Sequence, residues 1–136
     1  MKRATGFLGA VLLAGVLAGC SSDSEPSPAD CLKVMPGVST GIYGCVTSTN
    51  DAGSDTAPKV LPDFPVQIFK EPPPPTPDDG LLPFASTKSD ALGYFELSLE
   101  VGSYWICTSF RRCSQIDVVA GRPLQENYDF GEGPGW

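Results

Sequence analysis

The chain has 136 residues, with 9 Lys and Arg against 16 Asp and Glu and no histidine, and a formal charge of -7. So acidic a chain will not hold nucleic acid through phosphate contacts, which need clustered Lys and Arg. The missing histidine removes the commonest general base and metal ligand, so His-based triads and most zinc sites are excluded, and the length allows one small domain.

Lys2 and Arg3 precede an apolar run over residues 7–17, and Leu17, Ala18, Gly19 and Cys20 follow. Basic, apolar and small-residue sections in this order are those of a secretory signal. The run is interrupted by glycines and falls short of the roughly 20 apolar residues a helix needs to cross the hydrocarbon core. Leu17, Ala18, Gly19 and Cys20 resemble the bacterial lipobox. The resemblance implies cleavage before Cys20 and acylation of Cys20, so that the mature chain is held to a membrane by its N-terminal lipid. Each buried methylene contributes about 0.8 kcal/mol, and two or more chains anchor stably. Ser21 follows where an Asp would retain a lipoprotein at the inner membrane, which implies the outer membrane of a cell envelope. Loss of residues 1–19 takes Lys2 and Arg3 with it and moves the charge from -7 to about -9. Residues 20–37 are expected to be a flexible tether, because residues 21–30 carry no large apolar side chain to offset their ordering entropy.

From residue 41 onward a period-two alternation broken by Gly, Pro, Asp and Asn predicts an all-β fold of short strands. The first covers 42–47, the second 65–69 and the third 84–88. The fourth, 94–101, turns Phe95, Leu97, Leu99 and Val101 to one face and Glu96, Ser98 and Glu100 to the other, so one face is buried and one wet. In 104–108 Tyr104 and Ile106 point inward, Trp105 and Cys107 outward. Ile116 and Val118 point inward from 114–119, and Tyr128 and Phe130 share a face of a last strand, 124–130. Two loops stand out: an acidic one at 49–55, and a polyproline stretch at 71–80. The prolines fix φ and cannot donate to a ladder, so the second loop reads as a stiff excursion guarding a sheet edge.

Setting Cys20 aside leaves Cys31, Cys45, Cys107 and Cys113, an even number in an exported chain, and two disulfides are the default. Of the three pairings open to four cysteines, Cys31–Cys45 with Cys107–Cys113 is favoured because Cys107 and Cys113 flank a hairpin turn around Arg111 and Arg112. The spacing alone leaves the other two open.

Gly41, Ile42, Tyr43, Gly44, Cys45 and Val46 as an opening strand, Val66, Gln67 and Ile68 as a second, Asp90, Gly93, Tyr94 and Phe95 as a turn into a strand, and Gly102, Ser103, Tyr104, Trp105 and Ile106 after it form a familiar order. Over residues 38–132 this order resembles the carboxypeptidase regulatory-like domain, a seven-stranded prealbumin-like β-sandwich. Asp90 would cap the turn, Gly93 would take positive φ, and Phe95 and Tyr104 would fill the space between sheets. The resemblance implies a non-catalytic module that supports adhesion, glycan contact or assembly. The opening strand has no lysine, so no isopeptide bond is expected.

No catalytic residue, cofactor or metal site is expected. Asp51, Asp55, Asp78 and Asp79 could serve a hydrolase only if held at a fixed separation, which nothing in their spacing shows. Asn50, Asp51 and Asp55 offer calcium-type oxygens without EF-hand spacing. The outward rings Tyr43, Tyr94 and Trp105 are the sharpest binding candidates, since exposed aromatics stack on sugars or anchor interfaces. The expected function is a lipid-anchored, non-catalytic structural or protein-binding module of the envelope, with a carbohydrate-binding module as the alternative. Its expected partners are the membrane and an envelope protein or polysaccharide, with no nucleic acid.

Overall fold

In the computed structural model, which describes residues 24–49, 57–73, 82–109 and 112–130, the alternation becomes nine strands in two sheets facing one another, an all-β sandwich. β1 (Gly41–Ser48) is the spine of the first sheet. It pairs antiparallel with β5 (Tyr94–Ser98) and β2 (Lys59–Val60), and parallel with β8 (Leu124–Gln125) and β9 (Tyr128–Phe130). The second sheet runs β4 (Ala85–Lys88), β3 (Pro65–Phe69), β6 (Gly102–Ser109), β7 (Arg112–Val118), antiparallel throughout.

Alternate side chains from the two sheets meet in one core. Ile42, Val46, Phe95 and Phe130 come from the first sheet, and Val66, Ile68, Tyr104, Ile106, Ile116 and Val118 from the second. The Phe64 and Phe130 rings lie 4.8 Å apart, and Phe95 stacks on Tyr128 at 6.1 Å. Phe95, Ile42, Ile68 and Ile106 are essentially fully enclosed. Each such side chain contributes about 1.5–3 kcal/mol relative to an exposed one.

Seven strands were expected, and the two extra ones have local causes. β2 is only two residues long, too short to show a period, and is recruited by the end of β1, where Leu61 N–H donates to Val46 C=O at 2.9 Å. The expected strand 124–130 is split. Glu126 N–H donates to Tyr43 C=O at 2.8 Å, and at the next step Cys45 N–H donates to the Asn127 side-chain oxygen at 3.0 Å, so a side chain replaces a ladder carbonyl and the strand breaks there. Gly44 permits this approach, because a Cβ there would collide with the Glu126 carbonyl oxygen.

Val101 corrects another expectation: it is 63% exposed, because β5 ends at Ser98 and the chain bends through Leu99 and Glu100, losing the alternation before Gly102. The turn before β5 forms as expected. Asp90 accepts from the N–H of Leu92 at 2.8 Å and of Tyr94 at 3.0 Å, and Gly93 has φ 74°, with Val46 C=O too close for a side chain. Buried Ser89 closes the adjoining turn, donating to Leu61 C=O at 2.5 Å and accepting from Phe64 N–H at 2.9 Å.

Candidate functional site

Residues 27–37, expected as tether, are instead pinned across the outer face of the first sheet. Ser27 and Pro28 open a single helical turn, α1 (Pro28–Cys31). Ser27 N–H and Oγ donate to the Asp30 carboxylate at 3.1 and 2.6 Å, so the Ser-Pro-x-Asp pattern works as a capping box. These bonds, the one from Ser27 Oγ first, hold the Asp30 carboxyl down to about 2. At the end of the turn Cys31 bonds to Cys45, in the middle of β1, with Cα atoms 6.1 Å apart. Farther along, Gly37 N–H donates to Glu96 of β5 at 2.8 Å. A covalent bridge and a charge-assisted hydrogen bond thus fix this N-terminal strap at two points.

Beneath the strap lies a second, smaller apolar cluster of Cys31, Cys45 and Tyr94, joined by Val34, Tyr43, Val60 and Leu92. Tyr94 is therefore not an exposed ring; it points away from the main core, but the strap leaves it 8% exposed. Its hydroxyl donates to Glu96 at 2.9 Å. Burial, reinforced by this bond to a carboxylate, pushes the Tyr94 phenol above its ordinary range. The same carboxylate, accepting from Gly37 N–H and then from Tyr94, is held below the usual range. Glu96, assigned to solvent by the alternation, is thus the polar clasp of the strap. Tyr43 is half-buried at the rim of this cluster. Between α1 and the β1/β9 edge runs a shallow groove of about 170 Å³, lined by Pro28, Leu32, Thr47, Asn127 and Asp129.

The third expected ring, Trp105, lies on the other sheet. It sits on the outer face of β6, half-buried, directly opposite Phe69 of β3 and Gln115 of β7. One step away on the same face Cys107 and Cys113 are register partners, joined by a disulfide with Cα atoms 4.2 Å apart. Both favoured cysteine pairs are present, and neither uses Cys20. Tyr43 and Tyr94 are brought together on one sheet, while Trp105 stands on the opposite side of the sandwich.

Near the break between β8 and β9, burial raises the Glu126 carboxyl, partly offset by the Tyr128 hydroxyl. Burial also raises the Tyr128 phenol. Among the described residues no group of three or more Cys, Asp or Glu side chains is disposed to hold a metal ion, and no helix is long and apolar enough to cross a membrane. Cys20, Asn50, Asp51, Asp55, Asp78, Asp79, Arg111 and Trp136 lie outside the described residues. Neither a protein-family model nor a curated protein sequence matches the chain.

Proposed function

We propose that the chain is an exported lipoprotein, anchored through acylated Cys20, whose β-sandwich serves the cell envelope as a non-catalytic structural or protein-binding module. The observation that carries this reading is the pairing of cysteines: Cys31–Cys45 and Cys107–Cys113 account for four of the five, and the fifth is the lipobox residue. Two disulfides in a domain this small suit an oxidising compartment outside the cytoplasm. The two-sheet architecture and the Asp90–Gly93 turn support the resemblance to carboxypeptidase regulatory-like domains, which act as attachments and not as catalysts. The strap suits an anchored module, since its bridge joins the end of the tether directly to the central strand.

The experiment is to express the full chain and its Cys20→Ala variant in a bacterial host fed labelled palmitate, then fractionate the cells. The parent chain is expected in the membrane fraction with label. The variant is expected to be unlabelled and to keep its signal segment. Equal labelling of both chains would refute the anchor.

A further inference from the structure

The outer face of the β4-β3-β6-β7 sheet carries an uncharged platform in an otherwise acidic chain. Because Tyr104 and Ile106 enter the core, Trp105 and Cys107 stand on the opposite face. The register sets two adjacent rows across that face: Phe69, Trp105, Gln115 in one, and Ser86, Gln67, Cys107, Cys113 in the other. Neither row holds a charged side chain. Charges flank the rows on the same face: Lys88, two residues beyond Ser86, is exposed on one side, and on the other Asp117, two residues beyond Gln115, accepts from Ser103 Oγ at 2.5 Å. Phe69, the register partner of Trp105, and Cys107 are buried, while Gln115 is exposed and Gln67 partly so. The two amides flank the ring, Gln115 directly across one strand pair and Gln67 on the diagonal of the other. The distance from β3 to β7 is about 10 Å.

We propose that this face binds a neutral polysaccharide, with the Trp105 indole as the stacking surface and Gln67 and Gln115 as the polar contacts. The inference goes beyond the structural or protein-binding role proposed above: it keeps the anchored, non-catalytic module of that reading and assigns it a glycan in place of a protein. An indole accepts the C–H face of a pyranose ring, burying apolar area at little conformational cost. Each carboxamide offers both donors and an acceptor, the pairing a sugar hydroxyl needs, since it donates and accepts at once. Among the described residues the two rows around the indole carry no charge, so they offer nothing to repay the desolvation of a phosphate, a carboxylate or a basic peptide seated on the ring, and the neutral glycan is the occupant their chemistry fits.

The test uses the full chain carrying Trp136→Phe, which leaves Trp105 as the sole tryptophan. Cello- and chito-oligosaccharides are titrated while indole emission and binding heat are followed. A saturable blue shift is expected, with affinity falling about tenfold or more for Trp105→Ala and about threefold or more for Gln115→Ala. Gln115 is exposed, so its variant keeps the test decisive if the Trp105 variant unfolds. Absence of saturable binding by either sugar series, or unchanged affinity in both variants, overturns the proposal. Binding only of a charged polysaccharide or of a protein at this face overturns it equally. Palmitate labelling of the same samples separates the two readings: full labelling without sugar binding refutes the glycan site alone.

Discussion

Replacing Cys31 and Cys45 together by alanine is expected to lower stability by about 3 kcal/mol. The bridge spans a sequence separation of 14, a ring of 15 residues, and loop closure of that size costs the unfolded chain about 3 kcal/mol of entropy. Cys107–Cys113, at a separation of 6, closes a ring of seven worth about 2.4 kcal/mol. The gap between the two widens in the protein, because losing the first bridge also loosens the cover over Tyr94. Urea unfolding reads the difference. With a slope of about 1–3 kcal/mol per molar, the midpoint falls by about 1–3 M for the strap variant and by less for Cys107→Ala with Cys113→Ala. A local readout accompanies the global one: cleavage by trypsin after the exposed Lys33 accelerates once the strap is unbridged. A hairpin bridge that costs more than the strap bridge, with Lys33 still protected, would refute the reasoning.

Gly44→Ala drives a methyl group into the Glu126 carbonyl and is expected to cost about 1–3 kcal/mol, with the largest amide shifts in NMR at residues 124–130; shifts confined to β5 would contradict the parallel pairing. Phe95→Ala empties the centre of the core and should cost about 3–5 kcal/mol by urea unfolding, and a loss under 1 kcal/mol would mean that the core lies elsewhere. The strap is also acid-sensitive. Glu96 and Asp30 are both depressed in the folded protein, so their contribution is present above the ordinary carboxylate range and is lost as pH falls through their folded values, the latter at about 2. The Gly37 amide shift is expected to titrate with Glu96 below the usual glutamate range and to become flat in Glu96→Gln; a midpoint at the ordinary value would contradict the clasp.

Much of the sandwich is legible in the residues themselves. Wherever alternate side chains of a strand enter the main core, as in β1, β3 and β6, alternation finds it, and Pro65–Phe69 matches to the residue. Asp90 and Gly93 are legible because the turn needs a side-chain acceptor and a positive φ that few residue types supply. The favoured cysteine pairing is also the one observed, since the hairpin sets Cys107 opposite Cys113. What escapes is whatever covers an outer face. Tyr94 and Glu96 read as wet because alternation reports only which side of a strand a residue occupies, not whether another segment lies over that side. The strap itself has too little apolar surface to announce packing. It is held by one disulfide, one clasp and a capping box that could have been found in Ser27, Pro28 and Asp30. The break at Glu126 and Asn127 escaped for a different reason: a side-chain oxygen standing in for a backbone carbonyl leaves no periodic trace.

The intact mass of the protein extracted from bacterial membranes with mild detergent tests the central claim most directly. The account predicts a chain that begins at Cys20, carries a diacylglycerol and an amide-linked acyl group, and holds both disulfides. A chain that retains residues 1–19, or one cleaved elsewhere and bearing no lipid, would contradict it.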